Sequence, residues 1–369
     1  MSTFQNNQFA SQIRAPKDSS PVSVHTEWEP LEEVIVGEIL DARVPDWHVS
    51  LESVLPQNGL DFFKKHQAGL FPHDQILLAQ KELDGLADFL TSEGIKVVRP
   101  TPLENIPFQT PCFTSSGSFY SAMPRDCLLA IGDLIIEAPM AWRSRYFETF
   151  GFRRILNDYF NRGSRWISAP KPTLCDDLYR RDFIRRSDRF ESVLTEFEPV
   201  FDAADFFRLG LDIIGQLSHV TNRSGVEWLQ RHLGPEYKIH IYDFDDAQPM
   251  HIDTTILPLA PGKVLVNREW VSKIPACFKD WEILHPPKSV LPQTHPLYMT
   301  SAWISTNVLM LDEKRVLVEE QEEPLIEAFK KWGFQPIGLP FRNFQSFGGS
   351  FHCATLDVRR TGKLRSYLS

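Results

Sequence analysis

The chain reads as an α/β protein whose elements close into a ring of small repeated units. Three observations predict it. A hairpin, a helix and a strand recur in that order about four times between residues 127 and 339. Turn pairs such as Gly132-Asp133 and Pro261-Gly262 mark the hairpins. The two chain ends supply a fifth unit, since a strand at Cys353 to Val358 can pair with one at Leu31 to Ile39. Units of this size cannot bury an apolar face alone, so they must share a core.

Taken in order, residues 1–22 are rich in Ser, Asn, Gln and Pro without apolar periodicity, and read as a disordered tail before a single domain over 23–369. Leu31 to Ile39 is a strand, and 40–73 a long loop with room for a short helix. Asp74 to Ser92 places Ile76, Leu77, Ala79, Leu83, Leu86, Ala87, Phe89 and Leu90 at about helical spacing, and Gly94 stops it. Ile95 to Arg99 is the strand that follows. Cys127 to Gly132 and Leu134 to Ala138 form a hairpin, followed by a helix from Arg145 to Phe160 and a strand from Trp166 to Ala169. The next unit has a strand at Leu211 to Ser218, a helix at Val226 to Leu233 and a strand at Lys238 to Phe244. Thr254 to Leu259 and Lys263 to Asn267 pair, ahead of a strand at Glu282 to Leu284. Asn307 to Leu311 and Arg315 to Glu319 pair, then comes a helix from Pro324 to Trp332 and a strand from Gln335 to Leu339.

Composition narrows the function. Of 369 residues, 42% are hydrophobic and 24% charged, which suits a globular protein with a real core. A net charge of -9, with Lys and Arg scattered, argues against nucleic acid as a partner. No apolar run approaches the ~18 residues of a membrane span, and no secretory leader is evident. The five cysteines, Cys112, Cys127, Cys175, Cys277 and Cys353, are odd in number and form no CxxC. That fits free thiols in a reducing, cytoplasmic compartment and disfavours a structural zinc site.

Polar residues recur at one edge of successive units. Asp126 precedes the strand at Cys127; Asp202 and Asp205 precede that at Leu211; His251 and Asp253 precede that at Thr254. Thr300 and Ser301 precede the strand at Asn307, and Cys353 opens the closing strand after Gly348-Gly349. In a ring these edges converge. A histidine opposite a cysteine suits acid–base work, and Asp202 can orient it as the third group of a triad does. Asp205 reads as structural. His352 falls on the opposite face from Cys353 by strand alternation. Several carboxylates around a thiol suit a cationic substrate with an electrophilic carbon, and a guanidinium fits both requirements.

The segments Glu27 to Gly37, Ile135 to Ala141, Phe201 to Phe206, Met250 to Asp253 and Gly348 to Arg360 resemble the amidinotransferases, and the likeness runs from about Val24 to Leu368. The resemblance implies the pentein fold, a five-bladed α/β propeller of ββαβ modules around a central site. It implies Cys353 as nucleophile, His251 as general acid and base, and Asp202 as the partner of His251. Asp126 and Asp253 would hold the guanidino nitrogens, with Ser301 and Met250 beside them. Arginine would donate its amidino group to Cys353 and release ornithine, and a primary amine of the glycine, lysine or amino-cyclitol class would then accept it. The implied enzyme needs no metal or organic cofactor and is a homodimer, acting in biosynthesis. The arginine that meets the donor carboxylate has no clear match: Trp270 aligns nearest, with Arg268 offset beside it. Two other readings compete. One is a guanidino hydrolase of the arginine-deiminase kind, and the other a non-catalytic arginine-binding protein.

Overall fold

The computed structural model describes residues 20–104, 106–292 and 298–368. Of the expected tail, residues 1–19 lie outside the described residues. Residues 20–22 are packed: the Ser20 hydroxyl bonds that of Ser164, and Val22 is buried.

The architecture is mixed α/β, built from small sheets. The first strand, β1 (Leu31–Val36), is followed by α1 (Val49–Val54), α2 (Gln57–His66), the long α3 (His73–Ser92) and β2 (Lys96–Val98). The stretch read as a long loop thus holds two helices. Its apolar residues are too few per turn to show a period, but Leu51, Leu55, Leu60 and Phe63 all reach the core. The short strands β3 (Phe108–Gln109) and β4 (Thr114–Ser115) pair with each other. Next come α4 (Pro124–Cys127), β5 (Leu128–Ile131), β6 (Leu134–Glu137), α5 (Arg153–Asn161) and β7 (Arg165–Ser168). The predicted helix from Arg145 to Phe160 is α-helical only in its second half. Ahead of it lie two short 3-10 turns, Arg143–Arg145 and Glu148–Phe152, the second running directly into α5. In those turns the side chains of Arg145 and Glu148 bond each other rather than follow a helical face.

The third unit is β8 (Phe206–Leu209), β9 (Asp212–Gly215), α6 (Arg223–Leu233) and β10 (Lys238–Ile241). Sequence analysis misses β8, since Phe206 to Leu209 is buried on both faces and shows no alternation. Gly210 turns this hairpin at φ 71°, and a Cβ there would lie 1.8 Å from the Arg365 carbonyl oxygen, where the C-terminal segment crosses. Then follow β11 (Ile256–Ala260), β12 (Lys263–Val266) and β13 (Glu282–Leu284). The last elements are β14 (Leu309–Met310), β15 (Arg315–Glu319), α7 (Glu323–Lys331), β16 (Gln335–Leu339), α8 (Arg342–Gln345) and β17 (Thr355–Arg360).

Among the described residues, five sheets have three strands each and the same pattern: an antiparallel pair, then a parallel partner. One of them joins the chain ends, β17–β1–β2, with Val34 opposite Asp357 and Val36 opposite Thr355. Strands such as β5, β6, β8 and β11 are buried along their whole length. Each fully buried Leu, Ile or Val contributes about 1.5–3 kcal/mol, which explains their near-continuous apolar runs.

Cys112 and Cys175, expected as free thiols, form a disulfide across 63 residues with Cα atoms 5.1 Å apart. The pairing depends on tertiary proximity that spacing along the chain does not reveal. Cys127, Cys277 and Cys353 are free.

Candidate active site

One local device recurs before the first strand of each three-stranded sheet: a short helical or irregular turn. Asp126 sits in α4 ahead of β5, and Asp202 caps the 3-10 turn Ala203–Asp205 ahead of β8. His251 caps the 3-10 turn Ile252–Thr254 ahead of β11, and Asp253 lies inside it. A 3-10 turn, Ile304–Thr306, and Asn307 precede β14. Residues 351–354 form the turn into β17, so Cys353 sits on a turn and the strand begins only at Thr355. Tight turns aim polar side chains off the sheet edge, while the strands behind them are locked in the core.

These turns bring the predicted residues together. The Cys353 sulfur, a ring nitrogen of His251 and a carboxylate oxygen of Asp126 lie within 4.8 Å of one another. His251 Nε2 is 3.1 Å from Asp202 Oδ2, and its Nδ1 is 3.6 Å from Asp126 Oδ1. Asp253 Oδ2 is 3.4 Å from the Cys353 sulfur. Asn307 donates from Nδ2 to that sulfur at 3.1 Å, and its Oδ1 accepts the backbone N–H groups of Ser350 and Cys353, each at 3.0 Å. The thiol is thereby fixed from two sides.

His251, Asp253, Cys353, Met250 and Ser301 line one cavity of about 230 Å³. Ser301 spends its Oγ on the backbone N–H of Trp303. Arg268 is exposed and is not among the lining residues, whereas its neighbour Trp270 is. Among the described lining residues the arginine is Arg185, whose Nη1 donates to the carbonyls of Glu52 in the last turn of α1 and Leu55 just past it. Asp205 lies deeper and accepts from Gln216, Ser218 and Thr221, which suits its structural reading.

Sequence reasoning passes over several groups. Arg145 donates to Asp126 Oδ2 at 2.9 Å, stands 3.6 Å from Asp202, and is itself held by Glu148 at 2.6 and 2.7 Å. His352 does not point away from the chemistry: its Nδ1 is 2.7 Å from Asp253 Oδ2 and its Nε2 is 3.3 Å from Glu27 Oε2. Alternation fails because residues 351–354 are not in a strand. Asn307 carries a readable signal, since it stands at the same unit edge as the other polar residues.

Burial opposes charge on His251, yet Asp126 and the hydrogen bond to Asp202 outweigh it, so its pKa is raised well above the usual imidazole value. Burial, then Asp253, pushes the Cys353 thiol up to about 12, against the pull of His251. Burial also raises Asp126 against His251 and Arg145. Asp253 runs the other way: burial is outweighed by the hydrogen bond from His352, and its pKa falls. At neutral pH the free site therefore holds an imidazolium, a neutral thiol and an ionised Asp253. Asp126, His251 and Cys353 are spaced as metal ligands might be, but the histidine and thiol would both have to lose protons first.

Asp126, Asp202 and Asp253 each keep one buried oxygen, Oδ1, with no hydrogen-bond partner among the described residues. Buried polar atoms are rarely left so. Such a cluster suits N–H donors carrying positive charge, next to a thiol and a proton-bearing imidazole.

Comparison with known proteins agrees with that chemistry. No protein-family model matches the chain. The L-arginine:L-lysine amidinotransferase of Pseudomonas savastanoi pv. phaseolicola is 54% identical over 353 residues, covering 95% of this chain and 97% of the relative. The mitochondrial glycine amidinotransferase of Gallus gallus is 46% identical over 368 residues, covering 97% and 87%. Among solved structures, SxtG, an amidinotransferase from Microseira wollei in the saxitoxin biosynthetic pathway, superposes with a TM-score of 0.88 at 46% identity, covering 94% of this chain and all of that one. With identities this high over nearly the full length, the chain belongs to the amidinotransferase family.

Proposed function

We propose that this protein moves the amidino group of L-arginine to a primary amine through a covalent adduct on Cys353, releasing ornithine. The observation that carries the reading is the set of three unsatisfied carboxylate oxygens around the thiol and imidazole. A guanidinium supplies the paired N–H donors they lack. The recurrence of site-bearing turns before five like sheets supports reading those sheets as blades of a pentein propeller.

In the first half-reaction the guanidinium sits between Asp126 and Asp253. Its positive charge beside the sulfur offsets the burial and the Asp253 charge that hold the thiol neutral, and Cys353 loses its proton to solvent. The thiolate attacks the guanidino carbon. His251 imidazolium gives its proton to the departing nitrogen, the carbon–nitrogen bond breaks, and ornithine leaves as the neutral amine. Cys353 then carries a cationic thiouronium, and His251 is neutral. In the second half the acceptor amine attacks the same carbon and gives its proton to His251, and sulfur departs as thiolate. Asp202 keeps the imidazole oriented through both halves. Water must be kept from the adduct, and Val54, Trp270 and Met299 supply apolar wall to the cavity.

The likeness to the L-arginine:L-lysine amidinotransferase makes lysine the first acceptor to try. Incubation with arginine alone should yield at most one equivalent of ornithine and an amidino group on the Cys353 peptide. Adding lysine or another accepted amine should make ornithine formation continuous, and Cys353→Ala should abolish both signals. Steady citrulline and ammonia from arginine alone would replace this reading with the hydrolase. Arginine binding without adduct or turnover would leave only a binding protein.

A further inference from the structure

Beneath the cavity lies a cluster of buried charges that no step above uses. Glu27 accepts from Arg208 Nε at 2.7 Å and Nη2 at 2.6 Å, and from Arg125 Nη1 at 3.2 Å. Asp357 accepts from Arg125, Arg208 and Arg360, each at 2.9 Å. Arg125 Nε also donates to the carbonyl of His352 at 2.7 Å. The one imidazole in this cluster is His352, and it alone reaches the cavity carboxylates. It bridges Glu27 Oε2 and Asp253 Oδ2, with a carboxylate oxygen facing each ring nitrogen. Each ring nitrogen thus has a carboxylate oxygen to bond. Its own backbone N–H is directed to the Asn307 carbonyl at 3.4 Å, and Asn307 grips the nucleophile.

Asp253 Oδ2 is thus occupied, and Oδ1 is left without a partner. A carboxylate pinned at one oxygen cannot rotate freely, so its open oxygen holds one direction. It also stays ionised beside a thiol 3.4 Å away.

We propose that His352 is a positioning residue for the transfer reaction: anchored by Glu27, it holds Asp253 charged and turned so that the free oxygen meets the substrate guanidinium. This rests on the amidinotransfer reading of the site. The role is specific to cationic ligands. Loss of one charge-assisted hydrogen bond of about 1.5–3 kcal/mol corresponds to about 10- to 100-fold in affinity.

The test compares His352→Asn with His352→Gln in the full chain. Asparagine puts its amide nitrogen where Nδ1 stood, toward Asp253. Glutamine puts it where Nε2 stood, toward Glu27. Calorimetry measures binding of arginine and of citrulline, its neutral ureido isostere, to Cys353→Ala backgrounds that cannot react. The expected result is arginine affinity within about threefold of the parent for the asparagine variant and about 10- to 100-fold weaker for the glutamine variant. Citrulline affinity should change little in either. Equal weakening of both ligands would mean that His352 only supports the fold, and unchanged arginine binding in both variants would mean that Asp253 needs no such anchor. Either outcome overturns the proposal. Failure of the parent to bind arginine at all would overturn the amidinotransfer reading, and this inference with it.

Discussion

Two buried charged regions lie side by side in this protein and are finished to different degrees. In the frame formed by Glu27, Arg125, Arg208, Asp357 and Arg360, every carboxylate oxygen has a guanidinium partner. At the candidate site, Asp253 on the cavity wall and Asp126 and Asp202 behind His251 each keep one oxygen without a hydrogen bond among the described residues. Desolvation costs both regions alike. The frame offsets that cost within the fold, whereas the cavity leaves it to be offset by a ligand. On the proposed reading, the saturated network is structural and the unsaturated one receives the substrate guanidinium. Removing a frame charge should cost stability, and removing a cavity charge should cost activity.

The largest expected effect is in the frame. Arg208→Met leaves Glu27 and Asp357 each short of a buried partner and should destabilise the protein by about 3–5 kcal/mol. Urea denaturation measures it, and an unchanged midpoint would erase the distinction between the two regions. Asp126→Asn is the counterpart. The carboxyl is buried with one oxygen unpaired, and its partner Arg145 keeps both bonds to Glu148. Stability should stay within about 1 kcal/mol of the parent, while kcat/KM for arginine falls on the order of 100-fold. The pH dependence sharpens this. Burial raises the folded pKa of Asp126, so the wild type loses stability as pH climbs from the ordinary carboxylate range through that raised value. The asparagine variant has no such loss, and the stability difference should move in its favour over that window.

The frame and the cavity were not equally legible in the sequence. The cavity residues share a unit edge, so Asp126, Asp202, His251, Asp253 and Cys353 could be picked out once the repeat was seen. The frame has no such regularity: Glu27, Arg125, Arg208 and Asp357 come from four distant segments and meet only when the chain ends pair. Arg208 was doubly hidden, because the strand that carries it lacks alternation. His352 was read as strand and pointed the wrong way. Arg145 and Glu148 fall in a stretch the sequence reads as α-helix, whereas they sit in 3-10 turns and bond each other. Periodicity reports which side of an element faces the core. It does not report which buried charges find each other.

The smallest expected effect concerns the reactivity of the thiol before any substrate arrives. Burial and then Asp253 push Cys353 up to about 12, so at neutral pH almost none of it is thiolate. Alkylation of Cys353 by iodoacetamide, followed peptide by peptide, should rise about tenfold per pH unit from pH 6 to 9 without a plateau. Asp253→Asn removes the second-largest of the causes and leaves burial and Asp126 in place. It should therefore speed alkylation at pH 7 by about 3- to 10-fold, even as arginine turnover falls. His251→Asn removes the group that favours the thiolate and should slow alkylation. The two substitutions thus move reactivity in opposite directions, although each impairs turnover. A plateau near neutral pH in the wild type would show a resting thiolate–imidazolium pair, and the cavity would then resemble the frame in balancing its own charges without a ligand.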